Sequence, residues 1–219
     1  MKTRLIEAAM ACILLIGAVF LPPKAAFQNQ SQVLSAQETG VTGEAVLPEG
    51  GGKSLPEGEI HKVVLDAGHG GRDAGKTGVN GALEKEINLK IVRLLEGELK
   101  AAGFEVALTR ETDAGLYQET DSNKKMADMR ARCAIIEKEQ PDIVISIHQN
   151  SYHQESVAGP QVFYYTGSES GRFLAEKIQA SFLDVVGEEH NRSVKSNSKY
   201  YLLLNVRQPA VIVECGFLS

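Results

Sequence analysis

From about residue 60 onward the chain alternates between two hydrophobic spacings. Short continuous apolar runs take turns with longer stretches whose apolar positions recur every three or four residues. "KVVLDAG" (62–68), "FEVALTR" (104–110), "DIVISIH" (142–148), "PQVFYYT" (160–166), "YYLLL" (200–204) and "AVIVECG" (210–216) are of the first kind and predict strands. "EKEINLKIVRLLEGELKAAG" (84–103) is of the second kind. It sets Ile87, Ile91, Leu94, Leu95 and Leu99 at helical spacing and ends on Gly103. "NKKMADMRARCAIIEKE" (123–139), halted by Pro141, and "SESGRFLAEKIQASFLDVV" (168–186), opened by Ser168 as N-cap, predict two more helices. Strand and helix alternation of this kind makes an α/β fold with much of its sheet parallel.

The first sixty residues follow neither spacing. Lys2 and Arg4 precede an uncharged run of 14 residues, 8–21, too short for the ~20 residues of a membrane span and suited to a signal-peptide core. Residues 1–26 therefore read as a signal peptide or N-terminal membrane anchor, and the expected location is outside the cytoplasm, with membrane contact through the N-terminus only. Residues 27–59 are rich in Gln, Ser, Gly and Glu with no hydrophobic period, the composition of a flexible linker. Residues 60–219 are left as one folded domain.

Composition narrows the function by exclusion. A net charge of −5 gives no electrostatic case for nucleic acid. Of the three cysteines, Cys12 lies in the apolar run, and Cys133 and Cys215 each sit inside an apolar pattern, which favours buried thiols over a disulfide. Their spacing also offers no paired-thiolate metal site.

In open α/β sheets, ligands collect outside the carboxyl ends of the strands. The first strand here runs into His69, hemmed in by Gly68, Gly70 and Gly71; the third ends on His148; the last carries Glu214. Glycines in such number are placed where the chain turns sharply or something approaches it closely. Glu84 opens the first helix, where any acid is favoured, so its position alone says little. His69 also reads as a turn residue and His148 as a satisfied core histidine. Glu214 is more informative, because a carboxylate within "AVIVECGF" is costly to bury without a partner. Two imidazoles and a carboxylate make the ligand set of a catalytic zinc site that keeps a position for water, and Glu214 at the same rim suits proton transfer. The resulting chemistry is amide hydrolysis. His61, His153 and His190 read as solvated or loop-bound.

These residues, with "LDAGHGGRDAG", "EKEINL", "TRETD", "ISIHQNS", "GPQVFYY" and "PAVIVECGFLS", resemble the zinc-dependent N-acetylmuramoyl-L-alanine amidases of bacterial cell walls from about Lys62 to Ser219. The resemblance implies a mixed, largely parallel sheet flanked by helices on both faces. It also implies one zinc ion per domain on His69, Glu84 and His148, a catalytic Glu214, and peptidoglycan as substrate. Asn150 is a weaker candidate for shaping the site. "NVRQPAVIVECGFLS" and the simple N-terminus look most like the spore-cortex branch, whose product is converted by a deacetylase to the muramic-δ-lactam read at germination. Dependence on an activating lipoprotein is left open, as is work in tandem with a cortex deacetylase. Relatives commonly continue past "GFLS" into a closing helix, so one face of the last strand is expected to be partly bare. A regulatory helix after "SIHQN" is not expected, since only "SYHQESVAG" separates Asn150 from Pro160. Other readings are a general vegetative wall amidase, a different zinc peptidase, and a non-catalytic wall-binding module.

Overall fold

The computed structural model describes residues 60–154, 156–187 and 192–218. The proposed signal segment and linker, and His190, lie outside them. Six strands, β1 (Lys62–Ala67), β2 (Glu105–Leu108), β3 (Ile143–Asn150), β4 (Gln161–Tyr165), β5 (Lys195–Asn197) and β6 (Ala210–Phe217), form one sheet in the order β2-β1-β3-β6-β4-β5. β2, β1, β3 and β6 are parallel neighbours; β4 enters antiparallel to β6 and carries β5 parallel to itself. The sheet is mixed and largely parallel, as the element order implies.

Alternation along the strands divides their side chains between two helical layers. Val63, Leu65, Ile143, Ile145, Val211 and Val213 face α1 (Glu84–Ala101) and α3 (Glu169–Val186) in the larger core. Val64, Val144, Ala210 and Ile212 face α2 (Lys124–Glu139) and α4 (Tyr201–Asn205) in the smaller one. Each such residue withdrawn from water contributes roughly 1.5–3 kcal/mol before chain entropy is counted. Both halves of β6 are not equally covered: Ala210–Val213 are buried and Glu214–Phe217 are half-buried.

The helix ends follow local chemistry. Asn123 and Ser168 accept from the backbone N–H of Met126 and Gly171, capping α2 and α3. α2 stops where Gln140 turns left-handed (φ 47°) before Pro141. Leu94 departs from expectation: it is 42% exposed, on the solvent side of the stripe formed by Ile91, Leu95 and Leu99.

"YYLLL" is a helical turn, not a strand. A five-residue apolar run carries too little periodicity to separate the two, and here the turn before it decides. Asn197 Oδ1 accepts from the N–H of Lys199 (2.7 Å) and of Tyr200 (2.9 Å), folding the chain into a turn that leads into α4. Leu202 and Leu203 then enter the smaller core while Leu204 stays exposed. β5, polar and only three residues long, has no pattern to announce it. Asn197→Ala is expected to cost about 1 kcal/mol of stability, read as a lower urea midpoint at unchanged slope.

Candidate metal centre

β1 delivers the chain to His69 under unusual control. Asp66 is buried on the face toward α2, and three donors converge on its carboxylate at 2.6 Å: Thr109 Oγ1, Ser146 Oγ and the Arg132 guanidinium. Arg132, 1% exposed, also donates to the carbonyls of Ala67 (2.7 Å) and His69 (2.6 Å) and to Asp128 (2.6 Å). Arg110 donates to Ala67 O (2.8 Å), Gly68 O (3.1 Å) and Lys85 O (2.8 Å). Two guanidinium groups thus take up every carbonyl of residues 67–69. They also tie that turn to the first residues of α1. Held in this way, His69 adopts a left-handed φ of 63°, which a non-glycine residue keeps only when its surroundings fix it.

His69 and His148 meet with ring centroids 5.0 Å apart, edge to face. Glu84 joins them from the opposite layer: its Oε1 lies 3.2 Å from His69 Nε2 and 3.1 Å from His148 Nδ1. Glycine makes this convergence sterically available. A Cβ on Gly68 would sit 2.3 Å from the His148 ring, and one on Gly75 would sit 2.5 Å from Glu84 Oε2. Gly68 is therefore a close-approach glycine, as its position in the sequence suggests.

The rest of the carboxylate is fully engaged. Glu84 Oε1 also accepts from the N–H of Gln149 (3.1 Å) and Oε2 from that of Lys76 (2.8 Å). Burial alone would push this carboxyl up, but the hydrogen bonds and charges of His148 and His69 outweigh it and hold Glu84 far below the usual carboxylate range. Burial likewise works against a charged His69, but Glu84 and then Asp73 raise its pKa on balance. Asp73 Oδ2 stands 3.0 Å from His69 Nδ1, an arrangement that fixes the ring and leaves Nε2 toward Glu84.

Glu214 is the register partner of His148 on the adjacent parallel strand, so both side chains leave the sheet on the same face. Its Oε2 is buried with no hydrogen-bond partner among the described residues. Burial pushes its carboxyl up; the positive charge of His148 opposes this and the negative charge of Glu84 adds to it. An open cleft of about 620 Å³ borders this group, with Asp66, Ser146, His148, Ile212 and Glu214 among its lining.

The donor set fits a metal ion. His69, Glu84 and His148 each present one ligand atom, all within 4.8 Å of one another. Ligands about 2.0–2.1 Å from a tetrahedral zinc stand roughly 3.3 Å apart, close to the two histidine–carboxylate separations above. Beside them waits an unpartnered carboxylate oxygen. Asn150 is not part of this group: it is the last residue of β3, paired with Phe217, and its side chain accepts from the N–H of Ser151 (2.8 Å). His61 and His153 are exposed and do not line the cleft. Cys133 and Cys215 are free and half-buried, their thiols pushed by burial to about 11 and about 12, which leaves them protonated and inert.

A mixed α/β sheet that gathers two imidazoles and a carboxylate from its strand ends, with a second carboxylate from the start of a helix, has the donor set that suits a hydrolase. The comparisons specify the class. Residues 63–219 match the Amidase_3 family model, described as N-acetylmuramoyl-L-alanine amidase, and the chain belongs to that family of enzymes. Over 170 residues it is 35% identical to the germination-specific N-acetylmuramoyl-L-alanine amidase of Bacillus subtilis (strain 168), which covers 76% of this chain and 70% of that protein. The N-acetylmuramoyl-L-alanine amidase LytC of the same organism is 32% identical over 160 residues, 72% of this chain and 29% of the longer LytC. Among solved structures, the CwlD amidase of Clostridioides difficile in complex with the GerS lipoprotein is 36% identical with a TM-score of 0.69, covering 72% of this chain and 83% of that one.

Asp66 ties stability to pH. Its folded pKa of about 2 lies below the ordinary 3.8, because Arg132, Ser146 and Thr109 together overcome the burial that would raise it. The stabilisation is complete above about pH 4 and disappears as pH falls through 2, an expected loss of roughly 2 kcal/mol in urea unfolding curves. Asp66→Asn is expected to flatten that dependence while destabilising the protein at neutral pH by roughly 3–5 kcal/mol, since Arg132 loses its buried partner.

Proposed function

We propose that the chain hydrolyses the amide between the lactyl group of N-acetylmuramic acid and L-alanine in peptidoglycan, using one zinc ion held by His69, Glu84 and His148. Zinc held there supplies Lewis acidity, acidifying water to a pKa of about 7 and polarising a carbonyl. The chain's own residues do the rest. Asp73 holds the His69 ring by Nδ1, and the amides of Lys76 and Gln149 hydrogen-bond the Glu84 carboxylate and fix its orientation. Glu214 Oε2 accepts the proton of the attacking water and passes it to the departing alanine nitrogen. The single observation that carries this role is the Glu214 Oε2, buried beside His148 with no donor to it among the described residues. A carboxyl held above its ordinary pKa is a stronger proton acceptor once ionised.

The spore cortex is the setting we favour. The likeness to the germination-specific amidase and to CwlD supports it, and the product is then the stem-peptide-free muramic acid from which a deacetylase makes muramic-δ-lactam. The CwlD structure with GerS supports an activating lipoprotein as partner. Export through residues 1–26, with 27–59 as a tether, matches a wall substrate. Among the described residues no helix is long and apolar enough to cross a membrane.

Mass analysis of peptidoglycan incubated with the protein, with zinc and with chelator, tests the reaction. The expected result is free stem peptides beginning at L-alanine, with zinc only; a cut at another bond makes the protein a peptidase. His148→Ala is expected to lose zinc. Glu214→Gln is expected to keep zinc at wild-type stoichiometry and lose about 10²–10⁴-fold in kcat. Cleavage surviving in that variant would remove Glu214 from the mechanism.

A further inference from the structure

The reaction leaves one property of the cleft unused. Arg72, Lys124, Lys125 and Lys199 all line it, in a chain whose net charge is −5. The acids of the cleft make their closest contacts with other groups. Asp66 and Asp128 are each 2.6 Å from Arg132, Asp73 stands closer to His69 (3.0 Å) than to Lys125 (3.9 Å), and Glu214 is enclosed beside His148. Arg72 and Lys124 share a single acid, Glu119, at 2.9 and 3.8 Å. The Lys125 side chain is 77% exposed, and Lys199, also exposed, has no ion pair among the described residues. The rim of the cleft therefore offers cationic side chains that are open to an anionic ligand.

The chemistry of the substrate says what such a mouth receives. In the bond to be cut, the lactyl carboxyl of the sugar is consumed in the amide itself, and the N-acetylated sugar is neutral. Every anionic group lies on the peptide. We infer that Lys125 and Lys199, with Arg72 and Lys124, bind the carboxylates of the stem peptide and so select peptides with free carboxylates over amidated ones. The identity of this ligand as the stem peptide rests on the amidase reading above. A single exposed charge pair contributes little, but several like charges around one cleft concentrate an anionic ligand there, in a way that salt weakens.

The test measures binding and turnover separately. The full chain is titrated with synthetic L-alanyl peptides bearing either free carboxylates or their amides, and then assayed on the corresponding muramoyl peptides. The free acid is expected to bind about fivefold or more tightly at low salt, with the preference shrinking as ionic strength rises past ~0.15 M. The double variant Lys125→Glu/Lys199→Glu is expected to lose the preference, with the change in turnover falling on KM. Lys177→Glu, the same kind of charge reversal on the solvent face of α3, is expected to keep it. Equal affinity of the wild-type chain for acid and amide overturns the inference, as does the same loss in Lys177→Glu. Failure of the amidase reading leaves a different trace: the binding preference stands while no muramoyl peptide is cut.

Discussion

The site depends on what becomes of three consecutive carbonyls. At Ala67, Gly68 and His69 the chain leaves the protection of the sheet without entering a helix, and buried carbonyls without donors each cost roughly 1–3 kcal/mol. Arg132 and Arg110 supply those donors. Arg132 is itself tolerable in the interior only because Asp66 and Asp128 neutralise it. Asp66 is anchored in turn by Thr109 at the end of β2 and Ser146 on β3. One charge network thus runs across three parallel strands and a helix, and its output is the backbone conformation of a single histidine.

The same network brings the two layers into register. His69, His148 and Glu214 belong to the α2 side of the sheet, whereas Glu84 begins a helix packed on the other side. Arg110 spans the join, since one of its nitrogens reaches both Gly68 O and Lys85 O. The carboxylate can then pass over the strand end because Gly75 has no side chain to stop it. The glycines that crowd His69 in the sequence are accounted for by what approaches them. Gly68 admits the His148 ring. Gly75 admits Glu84.

This division explains what could be read from the chain and what could not. Strand ends were legible because a run such as "DIVISIH" shows where burial stops, and parallel topology places successive strand ends on one rim. That logic reaches His69, His148 and Glu214. Asp73 was within reach as well, four residues beyond His69 in the same motif, but nothing in a single sequence separates it from an ordinary turn acid. Arg110, at the end of "FEVALTR", obeys the strand-end rule, but an arginine at such a place reads equally as a solvated one. Arg132 had no signal at all: a mid-helix arginine in "RARC" reads as solvated, and only the position of Asp66, 66 residues earlier, makes it interior. "YYLLL" failed for a local reason, the side-chain acceptor of Asn197, which outweighs the β-propensity of the tyrosines.

Two carboxylates flank the same pair of imidazoles, and their surroundings drive them apart. Glu84 accepts hydrogen bonds at both oxygens and is held anionic; Glu214 is buried, leaves Oε2 without a donor and is pushed toward its neutral form. Had the sheet register been shifted by one residue, Glu214 would have faced the larger core and Val213 the cleft. Its cost is therefore not an accident of packing, because the residues on either side place it there as firmly as they place His148. A permanently charged carboxylate suits a metal ligand, and a carboxylate of raised pKa suits a group that takes up and releases a proton. In the proposed reaction Glu84 and Glu214 hold those two roles. What divides them is the supply of hydrogen-bond donors: His148, His69 and the backbone N–H groups of Lys76 and Gln149 face Glu84, and among the described residues none faces Glu214 Oε2.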